Sequence, residues 1–175
     1  EDYNEWMPFE THTAEISCSE KIMVDSGSFA HVCNPSFAPD FPIRKCGSIY
    51  RAIAASNTNV DFIGMKRVTG WFKTREGASI KVHLDFQVYQ VRRTLLSGML
   101  LAKKSNVETK LAPDDMCLIF HDTGQKVDIY GNDELPYVDF FVAKENHTSL
   151  EDTPPTDAAE GDTSGREVRD ETPIM

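Results

Sequence analysis

The sequence predicts an all-β domain, a small closed β-barrel with one short helix. The clearest observation is the alternation of apolar and polar residues from Ile80 to Val91, which is typical of a strand with one buried face. Short apolar segments recur along the chain and are separated by turn-forming residues. Only one segment has helical spacing. Many short, evenly spaced strands with a single helix favour a small barrel.

The predicted strands follow the apolar runs in chain order. They cover residues 14–18, 21–24, 49–54, 61–72, 80–91, 107–111, 116–120, 126–130 and 137–142. Polar or glycine-containing turns are expected at residues 25–28, 56–59, 75–77, 122–124 and 131–133.

The predicted helix begins at Leu95. Its apolar face consists of Leu95, Leu96, Met99 and Leu100. Lys103 and Lys104 follow, where cations interact favourably with the helix dipole.

The charge of the chain is concentrated at its two ends. The 175 residues carry a net charge of −10, with five acids and no base in residues 1–15 and nine acids and three bases in residues 144–175. Residues 16–143 are close to neutral. We therefore expect an acidic, partly ordered leader over 1–13, one domain over 14–143, and a disordered acidic tail or linker over 144–175.

Composition excludes several classes of function. The negative charge argues against nucleic-acid binding by this domain. No apolar run approaches the ~18 residues of a membrane helix, and no signal peptide opens the chain, so we expect an intracellular, cytoplasmic protein without a membrane partner. The four cysteines lack zinc-site or C-x-x-C spacing, which favours reduced thiols and predicts neither a metal nor a cofactor.

The segment that points most directly to chemistry is Ile-Met-Val-Asp-Ser-Gly-Ser at residues 22–28. An apolar strand ends there in a carboxylate, Asp25, on a tight turn. Gly27 allows close backbone approach, and Ser26 or Ser28 can donate a hydrogen bond to the carboxylate. An aspartic protease needs this arrangement twice, because two facing carboxylates share one proton and act as base and acid. His31, six residues further on, is interpreted as a loop residue.

With this motif in place, residues 14–142 resemble the retropepsin-like proteases of retroelement polyproteins, especially the Copia-type Pol protease. In that family a strand leads into Asp-Ser-Gly and then Ala or Ser, and a flap hairpin, a long strand and a Leu-Leu-Ser helix start follow. The matching segments are residues 23–28, 56–64, 80–91 and 95–97.

The resemblance implies a retropepsin-type barrel and an aspartic endopeptidase that processes its own polyprotein. Asp25 would be the catalytic aspartate, Ser26 would lock the active-site loop through its hydroxyl, Gly27 would line the substrate, and Ser28 would complete the loop. A flap over the bound peptide would consist of Ala55, Ser56, Asn57 and Thr58, although this segment lacks the paired glycines of many viral flaps.

A second triplet, Asp122-Thr123-Gly124, also follows an apolar run. Two such triplets suggest a two-lobed, single-chain enzyme, but 175 residues do not provide two lobes. We therefore interpret 122–124 as a hairpin turn. The second carboxylate is then expected from another copy of the chain, in a homodimer with Asp25 of each subunit at the twofold axis.

Two alternatives remain open at this stage. The domain could keep the retropepsin fold without cleaving, and serve as a dimerisation or peptide-binding module of a larger protein. It could also be an unrelated β-domain whose Asp-Ser-Gly is an exposed turn.

Overall fold

A computed structural model describes residues 16–47, 52–53, 59–132 and 135–144. The predicted leader, the predicted flap tip and the acidic tail beyond Lys144 lie outside the described residues. Within the described part of the chain there are twelve strands and one helix, as predicted for an all-β fold. The elements are β1 (Ile16–Asp25), β2 (His31–Cys33), β3 (Ala52–Ile53), β4 (Asn59–Val60), β5 (Phe62–Lys73), β6 (Ser79–Tyr89), β7 (Leu95–Ser97), α1 (Gly98–Ser105), β8 (Val107–Ala112), β9 (Asp115–Phe120), β10 (Gln125–Asp128), β11 (Tyr130–Asn132) and β12 (Leu135–Ala143).

Six of the strands form a closed barrel, which confirms the predicted architecture at that level. The order around the barrel is β1-β7-β2-β6-β5-β12, and β12 pairs with β1 to close it. The closing pair is antiparallel and runs from Ile16 opposite Ala143 to Met23 opposite Tyr137. Closure removes the free strand edges of the sheet, with β11 attached outside as a short extension of β12.

The barrel interior is filled by alternate residues of its long strands. In β6 the apolar alternation predicted from the sequence places Leu84, Phe86 and Val88 in the core, with exposed fractions of 5% or less. Ile22 and Val24 of β1 and Val138 and Phe140 of β12 complete this part of the core. Burial of these side chains supplies the main stabilising free energy of the domain.

A second sheet, in the order β10-β9-β8, packs against the barrel. Leu118 and Val127 of this sheet belong to the same core cluster as the barrel side chains. Arg75, in the predicted turn between β5 and β6, contacts Asp115 at 2.7 Å and Asp128 at 2.5 Å. The charged pairs therefore connect the β5–β6 turn to the second sheet at the surface.

The helix begins three residues later than predicted. Leu95 and Leu96 lie in strand β7, and α1 begins at Gly98 after its N-cap residue, Ser97. A pair of apolar residues is compatible with either a helix face or a short strand. Leu95 and Leu96 form a strand because they pair with β1. The two predicted strands at 14–18 and 21–24 are likewise one continuous strand, β1.

The helix α1, the one helix in the described ranges, is not long and apolar enough to cross a membrane.

Candidate active site

Strand β1 positions Asp25 at one end of the barrel. Ile22 and Val24 are buried, and Asp25 is the last residue of the strand and is half-buried. In the parallel pairing of β1 with β7, Asp25 lies opposite Ser97. The predicted strand end at Asp25 is confirmed, and strand pairing fixes the position of its backbone.

A backbone amide orients the Asp25 carboxylate. The N–H of Gly27 donates to Oδ1 of Asp25 at 2.8 Å. A Cβ atom on Gly27 would lie 3.4 Å from the same oxygen, an ordinary van der Waals contact, so the bond and not a lack of space defines this position. An oriented, solvent-accessible carboxylate can accept a proton from a bound water, which is the requirement for a general base.

The loop at residues 26–30 connects Asp25 to β2. Ser28 Oγ donates to the carbonyl oxygen of Ala30 at 2.7 Å. Ser26 is exposed and lines a cavity of about 420 Å³ together with Gly98 and Thr109. Phe29 in the same loop is 84% exposed. The residue that follows Asp25 thus borders an open cavity, and the loop presents an apolar side chain to solvent.

Ser97 holds this loop. Its Oγ donates to the carbonyl oxygen of Ser28 at 2.5 Å and accepts from the N–H of Leu100 at 3.0 Å. One buried hydroxyl therefore both caps α1 and fixes the middle of the loop. The sequence identified Ser97 only as the start of the helix. Its contact with the loop is a feature that sequence reasoning missed.

His31 is the second residue whose role sequence reasoning missed. Rather than lying in a loop, it begins β2, is only 4% exposed, and accepts the backbone N–H of Ser97 on Nδ1 at 2.9 Å. Burial lowers the pKa of its imidazole to about 4. The apolar pair Val32-Cys33 that follows His31 is the local signal for a strand here, but a run of three residues is too short to predict one.

The predicted flap residues Ala55, Ser56, Asn57 and Thr58 lie outside the described residues. The short strands on either side, β3 and β4, pair antiparallel, with Ala52 opposite Val60 and Ile53 opposite Asn59.

Asp122 lies in a different environment from Asp25. Residues 121–124 form the turn between β9 and β10, in the second sheet, and Gly124 adopts a φ of 71° there. The carboxylate of Asp122 accepts from the side-chain amide of Asn106 at 2.7 Å. The predicted hairpin turn is therefore confirmed, and this triplet does not lie at the end of a barrel strand.

In the described residues, no group of three or more His, Cys, Asp or Glu side chains is arranged to hold a metal ion. The chemistry that this site offers is that of an oriented carboxylate.

Comparison of the chain with protein families, curated proteins and solved structures found no significant match.

Proposed function

We propose that this protein is an aspartic endopeptidase whose active site forms from two copies of the chain. The observation that carries the proposal is the position of Asp25. Asp25 ends a barrel strand whose Ile22 and Val24 are buried, its carboxylate accepts the Gly27 N–H, and the loop that follows is held by Ser97. The Gly27 contact is one that any Asp-Ser-Gly turn can form, so the attachment to β7 through Ser97 is the feature that distinguishes this site from an exposed chance turn.

Among the described residues, the second Asp-x-Gly triplet does not supply a partner for Asp25. Asp122 accepts from Asn106 on a hairpin of the second sheet, so it is a poor candidate for the partner of Asp25. A twofold axis beside Asp25 would bring two equivalent carboxylates together, and C₂ symmetry is the commonest arrangement of soluble homo-oligomers. The proposed enzyme is therefore a homodimer.

The proposed chemistry is direct attack of water on a peptide carbonyl. One Asp25 accepts a proton from the water as the new C–O bond forms, while the protonated partner carboxyl donates to the carbonyl oxygen. Collapse of the tetrahedral intermediate breaks the C–N bond. The amine leaves with the proton that the first Asp25 took from the water, and the partner carboxylate regains a proton from a hydroxyl of the intermediate. The predicted flap between β3 and β4 would cover an extended peptide bound as an added strand. By the resemblance, the substrates are junctions of a retroelement polyprotein.

The test is cleavage of a peptide library by the full 175-residue chain, with products identified by mass spectrometry. We expect Asp25→Asn to abolish cleavage and to leave the circular dichroism spectrum unchanged. Asp122→Asn is the matched control and should cleave within a few-fold of the wild type. Cleavage in ¹⁸O-labelled water should place the label in the new carboxyl terminus.

Retained cleavage by Asp25→Asn would overturn the proposal. A wild-type protein that binds peptides without cutting them would instead favour the inactive binding module. Loss of cleavage in Asp122→Asn with the fold intact would restore the single-chain, two-aspartate interpretation.

A further inference from the structure

Three parts of the segment from Asp25 to His31 are tied to a single residue, Ser97. Asp25 lies opposite Ser97 in the parallel ladder, the carbonyl oxygen of Ser28 accepts the Ser97 hydroxyl, and His31 accepts the Ser97 backbone N–H. The beginning, the middle and the end of this segment are thus all held against β7.

We propose that His31 is a positioning residue for Asp25 that acts through Ser97, and that protonation of its imidazole releases the 26–30 loop in acid. The activity measurements below rest on the proposed function, whereas the spectroscopic and stability measurements do not.

The hydrogen bond requires the neutral form of His31. A backbone N–H can only donate, so Nδ1 must offer its lone pair to Ser97 and the ring proton must be on Nε2. Protonation of Nδ1 would place two donors 2.9 Å apart. Ser97 is fully buried and His31 is 4% exposed, so solvent cannot readily replace the lost acceptor.

The surroundings of the ring favour the neutral form. Phe86 packs against it at 5.7 Å between ring centroids, and burial is the largest cause of the lowered pKa. Lys104 of α1 lowers the pKa further, and Asp85 of β6 raises it in opposition. Cys33, also in β2, remains a neutral thiol because burial raises its pKa to about 12.

The direction of the pH effect follows from these values. The unfolded chain binds a proton at His31 as the pH falls through the ordinary value of 6.5, whereas the folded protein resists protonation until about 4. The stability that depends on neutral His31 is therefore complete above pH 6.5 and is lost as the pH falls toward 4.

Two substitutions distinguish the role of His31 as a hydrogen-bond acceptor from the effect of its protonation. His31→Asn places an amide oxygen near the position of Nδ1 and does not titrate. His31→Phe keeps a planar ring and provides no acceptor. His83→Asn is the matched control, because His83 is exposed on β6 with Nδ1 2.8 Å from Thr69 Oγ1.

The first measurement is activity against pH. At neutral pH, His31→Phe should lower kcat by about 10-fold to 100-fold with a smaller change in KM, because a misplaced carboxylate slows the chemical step. His31→Asn should restore kcat to near the wild-type value and move the acid limit of activity to lower pH. His83→Asn should change neither. An unchanged kcat in His31→Phe, or an unchanged acid limit in His31→Asn, would overturn the proposal.

The second measurement does not require cleavage. NMR should show the His31 ring titrating near pH 4. The acid shift of the Gly27 amide resonance, whose N–H donates to Asp25, should contain a component at the His31 midpoint in the wild type that is absent in His31→Asn. Thermal unfolding of His31→Asn should depend less on pH between 6.5 and 4 than that of the wild type. A ring that titrates near 6.5, or a Gly27 titration that is identical in the wild type and His31→Asn, would overturn the proposal even if His31→Phe fails to fold. If the wild type cleaves nothing, the proposed function fails, and these two measurements still decide the role of His31.

Discussion

Asp25 of β1 and Ser97 of β7 are direct neighbours in a parallel strand pair, although β2, the β3–β4 pair and the two long strands β5 and β6 separate them in the sequence. The N-cap residue of α1 therefore also fixes the backbone next to the candidate catalytic carboxylate. Substitutions at the start of the helix should therefore affect the position of Asp25, whereas substitutions at the far end of the helix should not.

We expect Ser97→Ala to weaken both folding and cleavage. It removes the cap on the Leu100 N–H and leaves the Ser28 carbonyl without its donor, at a cost of about 1–3 kcal/mol in the free energy of unfolding. The loosened loop should also lower kcat by about 10-fold or more. The measurements are urea unfolding and peptide cleavage. Ser105→Ala, at the exposed end of α1, should change stability by no more than about 0.5 kcal/mol. Equal effects at the two serines would contradict the assignment.

Gly70→Ala should destabilise the barrel at the β5–β12 pair. Gly70 lies opposite Val142 in the β5–β12 pair, and a Cβ atom there would overlap the Phe140 ring and lie 2.5 Å from the Phe141 carbonyl oxygen. Backbone cannot yield as a side chain can, so we expect a loss of about 1–3 kcal/mol or more in thermal or urea unfolding. Gly47→Ala meets no atom within 4 Å and is the control. A stable Gly70→Ala variant would mean that β5 and β12 lie further apart at this position than the structure shows.

Lys66→Met tests an unexpected buried cation. Lys66 is 1% exposed, and its ammonium donates to the carbonyl oxygens of Pro35 at 3.1 Å and Phe37 at 2.6 Å. Burial lowers the pKa of Lys66, yet methionine would leave these carbonyls without that donor. We expect a loss of about 2–4 kcal/mol in the free energy of unfolding. Lys103→Met on the exposed face of α1 should be nearly neutral. A more stable Lys66→Met protein would show that desolvation of the charge outweighs its hydrogen bonds.

The proposed two-chain active site predicts that activity depends on protein concentration. Specific activity should fall on dilution below the dimer dissociation constant, and sedimentation should show dissociation over the same range. The rate should also fall on both sides of an optimum pH, because only a carboxylate pair that shares one proton can act as acid and base together. Pepstatin-type inhibitors should block cleavage. Constant specific activity from a sedimenting monomer would exclude the homodimer, and loss of cleavage in chelator would exclude the aspartic mechanism.

Local signals in the sequence predicted much of the architecture. The alternation over residues 80–91 gave β6 its buried face, and Arg75-Glu76-Gly77 marked a turn in which Gly77 adopts a φ of 87°. These predictions succeed because strand alternation and positive φ depend on neighbouring residues alone. The Asp-Ser-Gly-Ser motif likewise placed Asp25 at a strand end without knowledge of the fold.

Contacts between segments that are distant in the sequence decided the features that local signals did not predict. Leu95 and Leu96 suit a helix or a strand equally, and only the β1–β7 ladder assigns them to a strand. No local pattern in the sequence would place the charge of Lys66 in the core. The carbonyl groups that accept its hydrogen bonds belong to a loop that is distant in the sequence. His31 gains its neutral state and its contact with Ser97 only when β2 and β7 meet. The sequence by itself predicted Asp25 as the catalytic carboxylate, because the motif is contiguous. The tertiary structure decided what holds that carboxylate in place, because the supporting groups come together only when the barrel closes.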